Sequence, residues 1–203
     1  MDTYKLIMTT LSDTMLGSGE SVPGIIDSDS RFDEYGLPYM HAKTLKGHLR
    51  EQMKHILNWT GSRFQVNIDT LMGSSDSASE KMPGKLKFSD VRLSEGICKT
   101  VEKAVKNGDV GKEEIIRAVS IIYSYTKIND DGVAEKGTLR RDRMIRKGLI
   151  LESYIYAEEP LSRDEYNFLE YSVQALQHIG THKSKGKGWI RCSLAPVMRK
   201  QVI

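Results

Sequence analysis

Cysteine is nearly absent from this 203-residue chain: Cys98 and Cys192 are the only two, they stand far apart, and neither belongs to a CxxC pair. That excludes a disulfide framework and a zinc ribbon, and leaves free thiols in the interior as the simplest expectation. Long apolar runs are missing as well. No segment approaches the roughly 18 to 20 residues that a spanning helix needs. The opening MDTYKLIMTT lacks the apolar core of a signal peptide, so no membrane contact and a cytoplasmic location are expected. Charge of one sign is lacking too: 30 Lys and Arg against 27 Asp and Glu give +3, too little to argue for nucleic acid. No HExxH or GxSxG motif is present, nor a Cys/His pair. His41, His48, His55, His178 and His182 follow no metal-ligand spacing. What remains, 39% apolar and 28% charged, describes a globular protein of one domain, residues 1–203.

The charges that nearly cancel in sum are separated along the chain. Cations gather in 43–54, 140–147 and 183–191, and acids in 27–34, 76–80 and 158–165. Separate blocks of both signs suit a polyanion-binding face on a balanced protein. Alternation predicts strands over 4–11, 63–68, 85–93, 149–157 and 189–194. Leu45, Leu49, Met53 and Ile56 recur at helical spacing and predict a helix over 42–57, with Lys43, Lys46, Arg50 and Lys54 as a neighbouring cationic stripe. Residues 98–124 predict one or two helices, the better one over 112–123. Ser162 with Glu165 three positions on predicts a capped helix whose C-terminal glycine is Gly180. Residues 73–84 are rich in Ser, Gly and Pro, and part of them is expected to be mobile. Residues 126–146, with a turn at Asp130-Asp131-Gly132, predict a protruding hairpin. The resulting order is that of an α+β, ferredoxin-like (RRM-like) βαββαβ palm, with a helical insertion near 98–125 and a thumb hairpin near 126–146.

Three segments could carry chemistry, and each has a plainer reading. Asp27, Asp29 and Asp33 could hold a divalent metal or orient a ribose hydroxyl, or they could cap turns. The stretch GTHKSKGKGW, 180–189, offers glycines for close phosphate approach with Lys183, Lys185 and Lys187 supplying charge, or it is a turn with solvated lysines. It lacks the spacing and the strand–loop–helix setting of a nucleotide P-loop. Arg140, Arg141, Arg143 and Arg146 suit phosphate contacts, with Met144 or Ile145 as a wedge between bases, or they belong to a solvated hairpin.

Four pieces, in order and across nearly the whole chain, resemble the RAMP superfamily, in particular the backbone (Csm/Cmr-like) subunit of type III CRISPR effector complexes. They are IIDSDSRFDEYGLPYMHAKTLKGHLR (25–50), LMGSSDSASEKMPGKLKFSDVRL (71–93), YTKINDDGVAEKGTLRRDRMIRKGLILE (125–152) and GTHKSKGKGWIRCSL (180–194). The resemblance implies a palm with a thumb that polymerises along a CRISPR guide RNA. Complementary target RNA and other effector subunits are the implied partners, and the thumb kinks the duplex at intervals. It places Asp27, six residues before Asp33, at the position that supports metal-dependent cleavage with Mg2+ or Mn2+. It maps Lys46 and Arg50 to the guide-binding helix and Lys183, Lys185 and Lys187 to the glycine-rich loop, and Lys43, Arg140, Arg141 and His182 complete the expected RNA-binding set. His41-Ala42-Lys43-Thr44 departs from the family's usual Pro-Gly-Ser-Ser. Two other functions remain open: a binding scaffold without nuclease activity, and a standalone ribonuclease using His41 or His182 as a general base.

Overall fold

The computed structural model describes residues 2–21, 23–74 and 83–197. The expected mobility within 73–84 falls largely outside them. The element order is β1 (Asp2–Thr10), α1 (Ala42–Thr60), α2 (Ile68–Met72), β2 (Leu86–Phe88), β3 (Arg92–Leu93), α3 (Glu95–Asn107) and α4 (Lys112–Val119). There follow β4 (Ser120–Tyr125), β5 (Arg140–Ile145), β6 (Ile150–Ala157), α5 (Arg163–Ala175) and β7 (Ile190–Pro196). No helix among the described residues is long and apolar enough to cross a membrane.

The main sheet has the order β2-β6-β1-β7, all neighbours antiparallel, with β3 pairing β6 beyond β2. Strict alternation sends Tyr4, Leu6, Met8 and Thr10 of β1, and Ile190, Cys192 and Leu194 of β7, to one face. Helices α1 and α5 lie on that face. Leu45, Leu49 and Met53 of α1 and Phe168, Leu169 and Val173 of α5 join the strand side chains in one buried cluster. Ser162 caps α5 through the Glu165 amide, and Glu165 returns the bond to the Ser162 amide, the reciprocal box that the sequence predicts. Phe168 is fully buried and its ring lies 5.4 Å from that of Phe64. Phe168→Ala is expected to cost about 3–5 kcal/mol in chemical denaturation, from lost transfer energy plus the cavity left behind.

Several expectations are corrected. Residues 63–68 are not a strand, because the Asn67 side chain accepts from the Asp69 and Thr70 amides and starts α2. The predicted strand over 85–93 is broken between β2 and β3. There the Val91 backbone exchanges hydrogen bonds with Met40, while the Ser89 hydroxyl accepts from the Tyr154 amide. The predicted helix over 112–123 stops at Val119, and Ser120–Tyr125 is a strand paired with β5. Gly180 does not end α5, whose C-cap is Leu176; it lies five residues beyond Ala175, against Met15. The hairpin is present, with an exposed arm over 126–137 closed by an Asn129–Gly132 turn. Its base is core, however. Met144 and Ile145 are fully buried, so neither is available as a wedge between bases. The exposed apolar side chains of the arm are Ile128 and Val133, with Leu139 just past it.

Candidate nucleic-acid interface

The acid loop, the Gly-rich loop and the hairpin base meet at one end of the main sheet. Leaving β1, the chain bridges Thr14 to Ile145, Met15 to Thr181 and Gly17 to Ser30. Residues 27–30 then run parallel to β5 as an added edge strand. The Asp27 amide donates to Arg141 O at 2.8 Å, the Arg143 amide to Ser28 O at 2.9 Å, and the Ser30 amide to Arg143 O at 3.1 Å. The sequence reads as loop because only the partner strand makes it extended.

This pairing separates the acids. Asp27 is exposed, and its Oδ2 accepts the Arg141 amide at 2.7 Å. Asp29 points inward and meets Arg143 Nη1 at 3.1 Å, and its buried Oδ1 has no hydrogen-bond partner among the described residues. Burial raises the Asp29 pKa above the ordinary carboxylate value, against the opposing pull of Arg143. Asp33 caps the turn at 35–37 by accepting the Tyr35 and Leu37 amides at 3.0 and 2.9 Å, and pairs with Arg92. A cleft of about 340 Å3 opens at Asp27, Ser28, Asp29, Glu20 and Thr181. Among the described residues no group of three or more His, Cys, Asp and Glu is placed to share a metal ion. Asp27 can offer one carboxylate ligand, which suits Mg2+, an ion that usually keeps several waters and shares substrate phosphates.

The Gly-rich loop is fastened to the hairpin rather than free. His182 holds φ +63°, the only positive value among non-glycine residues described, and its Nε2 lies 3.2 Å from Asp142 Oδ2. Its ring stacks on Tyr125, which stacks on Tyr123, at 6.3 and 6.2 Å between centroids. Lys185 lies over Tyr125 at 4.5 Å, and Lys187 over Tyr123 at 3.7 Å while also reaching Asp13 at 3.7 Å. Of the three lysines only Lys183 has neither a carboxylate nor a ring partner among the described residues. It stands by His48 and His178, whose pKa values are lowered by burial and then by this cation, leaving both imidazoles neutral at pH 7.

Helix α1 presents two flanks, because residues two apart differ by about 200°. Lys46 and Arg50 face α2 and β2. Arg50 donates to Met72 O and Gly73 O at 2.8 and 2.6 Å, so it closes the C-terminus of α2 and is not a free phosphate ligand. Burial, with Arg50 and Lys87 nearby, lowers the Lys46 pKa. Thr44 and His48 occupy the opposite flank. There Thr44 shares a cavity of about 80 Å3 with Gly17, Arg31, His41 and Gly180. Lys43, Arg140 and Arg141 are exposed. The sequence reading missed Tyr123, Tyr125, Asp142 and Asp13; the alternation in Tyr123-Ser124-Tyr125 was the available signal, hidden by assignment of this stretch to a helix.

A family model described as RAMPs, the RAMP superfamily, matches residues 7–191. No curated protein matches the chain by sequence. Among solved structures, the chain is similar to one from the type III-B Cmr-beta complex in its apo state, determined by cryo-EM, with TM-score 0.69, 16% identity, and coverage of 99% of this chain and 98% of that one. It is similar to one from the type III-B Cmr-beta complex bound to cognate target RNA, with TM-score 0.67, 14% identity and coverage of 95% and 96%. A chain of a type IV-B CRISPR complex gives TM-score 0.61, 10% identity and coverage of 99% and 93%. At these identities the likeness is one of fold.

Proposed function

The chain belongs to the RAMP superfamily, and we propose that it is the guide-RNA-binding backbone subunit of a type III-like CRISPR ribonucleoprotein, which positions complementary target RNA and cleaves it at Asp27. The observation that carries this reading is the convergence of the acid strand, the Gly-rich loop and the hairpin base on one end of the sheet. The strand order β2-β6-β1-β7 suits a ferredoxin-like palm, a single domain with α3, α4 and the hairpin as insertions. Copies of the chain along the guide and other effector subunits in the cytoplasm complete the proposed assembly.

In this reading Lys43 and Lys183 hold guide phosphates, and the α1 flank carrying Thr44 and His48 lines the guide path. Asp27, fixed by the Arg141 amide, would be the protein ligand of Mg2+ or Mn2+. A bound divalent ion supplies charge stabilisation at phosphoryl oxygens and acidifies water. The chain's own part is to keep one carboxylate exposed at a fixed place. A second reading is a scaffold of the same kind that does not cut, in which Asp27 serves only to accept the Arg141 amide.

Lys43→Ala combined with Lys183→Ala is expected to weaken guide retention across guide sequences. The slope of log affinity against log salt should fall by about 0.7 for each single-strand phosphate no longer neutralised. Filter binding over a salt series measures both. Retention unaltered at moderate salt would return these lysines to solvent.

A further inference from the structure

A groove of about 400 Å3 runs between α4 and the hairpin base, lined by Glu113, Ile116, Arg117, Ile122, Arg143 and Arg146 among others. Register places it. Ile122 lies opposite Arg143, and Tyr123 opposite Asp142, so the two pairs point to opposite faces of the hairpin. The Gly-rich loop covers the Tyr123 face, which leaves the Ile122 face to the groove. Arg143 on that face pairs with Asp29, two residues from Asp27, so the groove lies beside the acid strand.

Its cations are placed for an external anion. Arg117 of α4 and Arg146 just beyond β5 are exposed, and neither side chain has a hydrogen bond or ion pair among the described residues. They come from different elements and converge on one groove, unlike a stripe along a single helix. Ile122 at its floor is 48% exposed, large for a strand side chain beside packed helix. Guanidinium groups on the rim above an apolar floor match the alternation of phosphate with base and ribose in an unpaired strand. Asp29 offsets Arg143 and Glu113 adds one opposing charge, so the groove keeps a net charge of about +1 and the phosphate contacts fall to Arg117 and Arg146.

We infer that this groove carries the unpaired continuation of the RNA strand that passes Asp27, with phosphates on Arg117 and Arg146 and a base or ribose on Ile122. The inference rests on the proposed RNA-guided function and extends it to a path for the cut strand. Proximity to the acid strand through the Arg143–Asp29 pair favours RNA over the competing occupant, an acidic protein segment such as the Asp130-Asp131 arm tip of a second copy.

The test uses complexes assembled on guide RNA and two complementary targets, one ending at the paired segment and one carrying a single-stranded extension. In the unaltered protein the extension is expected to tighten binding. R117E with R146E should remove that gain, at least tenfold, and lower the salt slope for the extended target by about 1.4, two phosphates at about 0.7 each. Guide retention, thermal stability and binding of the unextended target should not change, and R117K with R146K should keep most of the gain. An extended target bound equally by both proteins overturns the inference. So does a change in the number of copies per guide with the extension effect intact, which would assign the groove to a protein segment. Failure of the unaltered protein to retain guide RNA would instead overturn the function on which the inference rests.

Discussion

Asp27→Ala is expected to abolish metal-dependent cleavage of target RNA, lowering the rate on the order of a hundredfold or more, while guide retention and target binding stay at the level of the unaltered protein. The separation of effects follows from how Asp27 is held. Its backbone amide, with those of Ser30 and Arg143, keeps the edge strand on β5 whatever side chain it carries. The substitution removes one exposed hydrogen bond, from the Arg141 amide, at a stability cost of about 1 kcal/mol. Asp27→Asn should be equally inactive, since it keeps the acceptor and loses the charge. The neighbouring acids would answer differently. Asp29→Ala leaves Arg143 without its carboxylate at a largely buried site, and Asp33→Ala removes the oxygen that accepts both the Tyr35 and Leu37 amides, so each should lower stability before it touches chemistry. Cleavage assays with Mg2+ or Mn2+ on an assembled complex decide the matter. An unchanged rate for Asp27→Ala would sink its assignment, and an unaltered complex that leaves target intact would make the protein a scaffold.

Gly180→Ala should cost both stability and RNA retention, although it removes no functional atom. Gly180 holds φ +72°, and a Cβ there would lie 2.0 Å from Met15 O. The left-handed conformation alone costs an alanine about 1–2 kcal/mol. The overlap is with backbone, which Met15 cannot relieve by rotating a side chain, because it is bridged to Thr181. A total on the order of 3 kcal/mol corresponds to a Tm lower by about 6–12 °C in a domain of this size. Relief requires the loop to move off the Met15 segment, carrying His182 away from Asp142 and Lys183 away from α1, so guide affinity should fall as well. Gly186→Ala is the control. Its φ is +70° but no described residue lies within 4 Å of the added Cβ, so only the conformational part applies. Equal behaviour of the two variants would remove the close-approach argument.

Local pattern carried most of the elements. The α1 stripe of Leu45, Leu49 and Met53, the Ser162–Glu165 box and the alternation in β1, β6 and β7 are each specified within a few residues, and each stands where the pattern places it. Failures occurred where two local readings were equally good. Ile115, Ile116, Val119 and Ile122 satisfy helical spacing, yet Ser120–Tyr125 can also alternate, and pairing with β5 prevails because it supplies six partners that a last helical turn would lack. Met144 and Ile145 sit in a run of arginines that reads as exposed, but Arg143 turns to Asp29 and lets both apolar neighbours enter the interior.

By itself the sequence determined which residue types are available, in what order, and on which face of each helix or strand they stand. Those properties depend on neighbours a few positions away. Only the tertiary structure decided which charges remain free for a ligand. Arg50, Lys185 and Lys187 look from spacing like Lys43 and Lys183, but they meet carbonyls or aromatic rings brought from distant parts of the chain. The availability of a charge is set by what lies within about 4 Å of it, and for long flexible side chains that neighbour is rarely close in sequence.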